Sequence, residues 1–367
     1  MQRILHVLYK MGRGGAETFV MNVYRNIDRS KFQFDFLLIK EGGDYEDEIR
    51  SLGGRIYYIQ SRHDGFQKFR KNLKLFFASH AGTFSAIHCH ASSLTSVEAL
   101  EIAKQYKIPV RIIHSHSSFQ TGWIHRILHR IHKYRIGRIA THYFACSDLA
   151  LKWFYDHTSV CEKAIVVRNG IDVELFKYNV EVRTFMRKKL GLEGKSVWGH
   201  VGRFIKVKNH KMIIDVFYEY QKDHPDVHLL LVGEGELQNE IRQLVIHLGI
   251  QEKVSFLGLR SDIADLLQAM DLFLFPSFFE GLPVALVEAQ AAGLPVYASD
   301  KISESVDMTG HVHFYPLKWG VNNWKRAIEE DYSVFSRKDC SRKILEAHYD
   351  IRTTVSFLEQ NYINGDI

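Results

Sequence analysis

Two glutamates, Glu280 and Glu288, stand either side of a Gly281-Leu282-Pro283 turn within the stretch from Phe273 to Val296. An ionised carboxylate accepts two hydrogen bonds at once, so each acid suits a vicinal diol, one on a sugar and one on a ribose. Pro283 suits the first position of a helix and Gly293 the left-handed residue after its last turn, while Pro295 prevents resumption, so a helix is expected between them. The amides around Gly281 and Leu282 would then point outward with the helix dipole behind them.

Upstream, Gly202-Arg203-Phe204-Ile205-Lys206-Val207-Lys208 follows the apolar run Val197–Val201. Arg203 and Lys208 on such a loop can grip a diphosphate from two sides and stabilise the charge it gains on leaving. Glu234 sits between Gly233 and Gly235, and Gly258 ends Val254–Leu257. Glycines there let the backbone approach a flat ligand such as a nucleobase, although turn formation explains them equally well.

The first half carries a glycine loop, Gly12-Arg13-Gly14-Gly15, opening onto a helix over Glu17–Ile27. Amides at such a start, Gly15 among them, can cradle phosphate. Glu17 stands where a dinucleotide fingerprint needs its third small residue, which argues against a dinucleotide oxidoreductase. His88-Cys89-His90 and His114-Ser115-His116 end neighbouring apolar runs. Ligands of open α/β sheets bind beyond the carboxyl ends of strands, so His90, His114 and His116 are candidates to face a cleft on the acceptor side.

The elements that must position these groups follow from the apolar runs. Ile4–Tyr9, Phe34–Ile39, Ile56–Ile59, Ala86–Cys89, Val110–His114 and His142–Ala145 alternate with helical stretches, and Val197–Val201, Val227–Val232, Val254–Leu257, Leu272–Phe275 and Val296–Ala298 form a second series. Both series predict parallel sheets covered on both faces, hence two doubly wound α/β domains facing a central cleft. The boundary falls after Asn169-Gly170-Ile171-Asp172, giving residues 1–172 and 173–350.

Length and composition agree: 367 residues, 46% hydrophobic and 25% charged, are enough for two cores. No run is long enough to span a membrane and none reads as a signal peptide, so a cytoplasmic protein is expected. The four cysteines show no metal-ligand or disulfide spacing, so no metal is expected, and no nucleic-acid partner. Between Gly65 and Ser147, twelve Lys and Arg face two acids, Glu98 and Glu101. The helices expected over Phe66–Phe77 and Trp123–Ile139 carry much of that charge. They either cover the sheet with apolar stripes such as Ile124, Ile127, Leu128 and Ile131, or rest on an anionic membrane surface or steer a diphosphate-bearing acceptor.

The Gly14-Gly15 loop, Asn169-Gly170-Ile171-Asp172, Arg203 with Lys208, Glu280 with Glu288, and Ser299-Asp300 together resemble glycosyltransferase family 4, a retaining family with the GT-B fold. The resemblance implies a nucleoside-diphosphate sugar, here a UDP-sugar, held mainly by the second domain: Arg203 and Lys208 on the diphosphate, Glu288 on ribose, Glu280 on the transferred sugar, and His116 near the reacting carbon. It implies hexosyl transfer with retained configuration, no metal and no separate cofactor, and a last helix, within 351–367, that returns to complete the first domain. His-Ser-His-Ser further resembles members that build bacterial capsule or exopolysaccharide on a polyprenyl-diphosphate carrier. A sugar-nucleotide epimerase of the same fold, or a non-catalytic nucleotide-sugar-binding subunit, are the rival expectations.

Overall fold

The computed structural model describes residues 1–117, 122–280, 283–333 and 335–363. The chain divides into two compact units, Met1–Gly170 with Ile351–Ile367, and Ile171–Asp350.

Unit 1 holds a seven-stranded sheet built from β1 (Gln2–Leu8), β2 (Phe32–Leu38), β3 (Ile56–Tyr58), β4 (Phe84–Ala91), β5 (Val110–Ser115), β6 (His142–Ala145) and β7 (Ile165–Val166), in the order β3-β2-β1-β4-β5-β6-β7. Unit 2 holds a six-stranded sheet of β8 (Ser196–Val201), β9 (Val227–Val232), β10 (Val254–Phe256), β11 (Leu272–Phe275), β12 (Val296–Ser299) and β13 (Val312–Tyr315), in the order β10-β9-β8-β11-β12-β13. Every strand pair is parallel. Central strands such as Phe32–Leu38 and Val227–Val232 are buried throughout, as a sheet covered on both faces requires. Each sheet reverses its winding once, between β1 and β4 and between β8 and β11. At such a switch the connections leave to opposite faces and open a crevice at the strand ends.

The helix Ile351–Ile363 buries Ile351, Val355, Leu358 and Tyr362 in the core of unit 1, against Phe32 and Phe34 among others. Where it begins, a Cβ on Gly170 would lie 2.9 Å from the Ile351 nitrogen, so the chains pass at a distance that admits only glycine. The four cysteines are unpaired.

One expectation is corrected. In the helix Trp123–Arg135 the apolar stripe does not cover the sheet: Ile124, Ile127 and Ile131 are about half exposed, and Trp123 and Tyr134 more so. The buried residues are His129 and His132. His129 Nδ1 accepts from the Leu94 amide at 3.0 Å, its Nε2 lies 3.2 Å from the Trp153 carbonyl oxygen, and His132 Nδ1 donates to the Leu94 carbonyl at 2.6 Å. Main-chain groups of a buried loop must find partners, and these imidazoles supply them, which turns the isoleucines outward.

The helix Val284–Ala291 begins one residue later than the sequence suggests, with Pro283 as its cap. Gly293 closes it at φ +72°, and a Cβ there would lie 2.2 Å from the Lys338 carbonyl oxygen. Gly293→Ala is therefore expected to lower unfolding free energy by about 2 kcal/mol or more, read as a fall in urea midpoint. An unchanged midpoint would show that this closure is not under steric constraint.

Candidate active site

In unit 2 the winding switch places the ends of β8 and β11 side by side, and the candidate residues lie on the loops that leave them. Arg203 stands just beyond β8 with its side chain exposed. The next turn, Lys206–Lys208, ends at Asn209, which adopts φ +55° and donates from its amide to the Pro276 carbonyl at 3.1 Å. The Phe278 amide donates to the Val207 carbonyl at 2.8 Å. These two bonds tie the loops together and bring Lys208 against Glu280, with Nζ 2.7 Å from Oε1. The ion pair is largely shielded, with 16% and 17% of the two side chains exposed. The ammonium also lies 4.6 Å from the centre of the Phe275 ring.

Glu288 lies in the helix that follows. Part of its surface stays open, yet the protein crowds its carboxyl closely enough that lost hydration pushes its pKa up to about 7. Gly281 and Leu282 lie outside the described residues. Pro283 is buried at the helix cap.

Glu234 and Gly258 belong to the same strand-end surface. The Phe204 amide donates to the Glu234 carbonyl at 3.0 Å, and the Gly233 amide to the Gly258 carbonyl at 2.9 Å. Gly258 has φ +66°, and a Cβ there would stand 3.5 Å from Glu234 Oε1. Gly233 is held at φ +131° with its Cβ position 2.2 Å from the Gly202 carbonyl oxygen, so only glycine lets the three loops meet.

In unit 1, Gly15 opens the helix Gly15–Asn26, and a Cβ on it would meet nothing, leaving free space above that helix start. Beside it, parallel register sets His6 level with His88, and His90 level with His114. Two hydrogen-bonded imidazole rows result. One runs from His116 Nε2 to His90 Nδ1 at 2.9 Å and from His90 Nε2 to His6 Nδ1 at 3.0 Å. The other joins His114 Nδ1 to His88 Nε2 at 3.2 Å and ends on the Tyr362 hydroxyl, 2.9 Å from His88 Nδ1. His88 and His114 are fully buried, so of the acceptor-side candidates only His90 and His116 keep partial exposure. Burial pushes His6 and His116 down to about 3 and holds His88, His90 and His114 well below the usual range, with neighbouring imidazoles adding to the effect.

His6 and Tyr362 carried no signal in the sequence, and only the fold brings them to His90 and His88. Ring nitrogens of His6, His88 and His90, and of His90, His114 and His116, lie within 4.8 Å of one another, a grouping that could hold a metal ion and that the sequence spacing does not disclose.

Two parallel-sheet units, each with its candidate groups at the switch of strand order, define the GT-B class of glycosyltransferases. The fold matches that of HepE from Anabaena, solved in complex with UDP and glucose, at a TM-score of 0.77 over 99% of this chain and 100% of that one, with 20% identity. Residues 13–175 match the model of Glycosyltransferase Family 4 and residues 182–312 that of Glycosyl transferases group 1. The putative glycosyltransferase EpsF of Bacillus subtilis is 38% identical over 98% of this chain and 96% of its own. A UDP-Gal:alpha-D-GlcNAc-diphosphoundecaprenol alpha-1,3-galactosyltransferase of Escherichia coli is 29% identical over 55% of this chain and 54% of its own. The chain belongs to glycosyltransferase family 4.

The buried histidines give a pH test. Unfolded, each takes up a proton near pH 6.5, whereas folded it stays neutral far lower, so stability is full above 6.5 and falls as pH drops. Each of His6, His88 and His114 is expected to add a slope of about 1.4 kcal/mol per pH unit below that point. Denaturation midpoints measured from pH 7.5 to 5 check this, and a flat profile contradicts it.

Proposed function

We infer that the protein transfers a hexosyl group, with retained anomeric configuration, from a UDP-sugar to a hydroxyl of a polyprenyl-diphosphate-linked saccharide during exopolysaccharide or capsule assembly. The observation that carries this reading is the Lys208–Glu280 pair at the switch of sheet order, with Arg203 on the loop that carries Lys208 and Glu288 in the helix that follows Glu280. The UDP bound in HepE supports the nucleotide, and the diphosphoundecaprenol acceptor in the name of the Escherichia coli relative supports a lipid-linked acceptor. The capsular polysaccharide biosynthesis glycosyltransferase CapH of Staphylococcus aureus, 23% identical over 99% of each chain, supports capsule assembly.

In the proposed reaction the bond between the anomeric carbon and the diphosphate oxygen breaks and its electron pair stays on the diphosphate. Arg203 and Lys208 stabilise that charge. The acceptor oxygen bonds to the same face of the anomeric carbon, and its proton passes to the departing diphosphate. Lys208 must turn from Glu280 to the diphosphate as the donor enters, which frees the Glu280 carboxylate for hydroxyls of the transferred sugar. Glu288 takes the ribose diol, with Glu234, Gly258, Gly281, Leu282 and Pro283 forming the rest of the donor surface. Gly15, His90 and His116 serve the acceptor side. Neutral His116 can exchange hydrogen bonds with sugar hydroxyls across pH 5–8. Neither metal nor cofactor is assigned a step, and chelators are expected to leave the rate unchanged. The exposed apolar and basic face of Trp123–Arg135 suits peripheral contact with an anionic membrane.

Arg203→Met and Glu280→Gln are each expected to lower kcat about 10²–10³-fold with the fold intact. Full activity in Glu280→Gln, an inverted product by NMR, or release of free sugar at the transfer rate without acceptor would each overturn the reading. A second measurement addresses Glu288. Its carboxylate form holds a diol better, and that form grows in as pH rises through about 7, so UDP affinity should increase from pH 6 to 8. Glu288→Gln keeps the nucleotide's own titration and loses this increment, and an identical profile in both proteins refutes the ribose assignment.

A further inference from the structure

Unit 1 contains a cavity of about 790 Å³ between the strand ends of β1, β2 and β4 and the helices Phe66–His80 and Trp123–Arg135. Its wall is formed by Leu8, Leu37, Ile59, Phe69, Leu73 and Leu100, all buried. Folded cores keep few voids larger than a water molecule, and this volume falls in the range of about 300–1,000 Å³ typical of ligand sites. Its lip is apolar too: Tyr9, Phe66, Trp123 and Ile124 line the cavity and are exposed.

Apart from Tyr9 and Cys89, the titratable side chains that line it are of basic type. Arg62, His63 and His125 line the cavity, and among the described residues no Asp or Glu does. Of the nearby acids, Asp64 is exposed beside His63 and the other two are paired with arginines. Glu98 lies 3.5 Å from Arg62, while Glu101 pairs with Arg70 at 3.1 Å and Arg135 at 2.7 Å. Arg126 and Arg130 stand exposed on the helix that carries the lip. An occupant with a hydrocarbon body and an anionic head satisfies both features. The cavity also reaches His90, whose Nδ1 lies 2.9 Å from His116 Nε2, so it is continuous with the acceptor-side histidines.

We propose that this cavity holds the first isoprenoid units of the acceptor's carrier lipid, with the diphosphate at the basic lip and the saccharide beside His90 and His116. This rests on the reading of the acceptor as lipid-linked and adds where the lipid sits and why the chain is recognised. A hydrocarbon segment here leaves the membrane and replaces water at an apolar wall. Acceptor recognition then depends on chain length as well as on the sugar.

The test compares one saccharide diphosphate on a long prenyl chain with the same group on a short alkyl chain, in detergent. Ala99→Trp fills the cavity from the helix Glu98–Gln105, and Ser96→Trp fills it from an exposed loop position if the first variant fails to fold. The wild-type protein should favour the long-chain acceptor, and each folded variant should lower the long-to-short ratio of kcat/KM about tenfold or more, as loss of a few buried methylenes implies. A diazirine-bearing prenyl diphosphate should label residues of the cavity wall. An unchanged ratio in a variant that unfolds at the wild-type temperature, or labelling confined to other surfaces, overturns the inference while leaving lipid-linked transfer standing. Failure of the wild-type protein to use any lipid-linked acceptor, with transfer to a soluble saccharide, removes the acceptor reading itself.

Discussion

Lys208 and Glu280 hold opposite charges on two loops that leave neighbouring strands in opposite directions, and the surface of unit 2 is arranged around keeping them together. A parallel sheet brings strand ends level, but loops leaving such ends are free to diverge. Here Asn209 in the left-handed region and the Phe278 amide bond close that freedom, and the ion pair completes it. A partly shielded pair of this kind contributes modestly to stability, because desolvation offsets much of the attraction. Its value to the proposed chemistry is that each charge keeps the other in place until an anionic ligand offers Lys208 a stronger partner. Glu288, with no ion pair to its carboxyl among the described residues, has its pKa raised by burial.

Unit 1 meets a related problem without charge. Histidines packed on three adjacent strands would repel one another if protonated, and burial keeps them neutral. The middle imidazole of each row, His90 or His88, then donates through one nitrogen and accepts through the other, so each row forms a chain of hydrogen bonds with a single direction. Tyr362 from the C-terminal helix ends one row, so an element from the far end of the chain helps set the orientation of strand-end groups in the first unit.

The strands were largely legible because β-branched and aromatic runs bounded by glycine and charge mark buried parallel strands. Val312–Tyr315 escaped because its run is short and interrupted by His313. Periodicity in Trp123–Arg135 identified which residues share a face, but not which way the face points. That was decided by His129 and His132 satisfying main-chain groups near Leu94, a long-range need with no local signature. Pro283 shows the same limit on a small scale, since its fixed φ suits a cap as well as a first turn. The candidate acids and cations could be named from residue type and spacing. Their pairing could not, because Lys208 and Glu280 meet only through the strand order, and the imidazole rows depend likewise on the register of β1, β4 and β5.

The central claim is that Lys208 exchanges Glu280 for the diphosphate of a nucleotide sugar bound at the ends of β8 and β11. A crystal structure of the protein with a non-hydrolysable UDP-sugar tests it most directly. The account expects diphosphate oxygens within hydrogen-bonding distance of Arg203 and Lys208, the ribose diol on Glu288, and Glu280 turned from Lys208 onto sugar hydroxyls. A nucleotide bound elsewhere, or bound here with the Lys208–Glu280 contact intact and the diphosphate out of reach of Lys208, would contradict it.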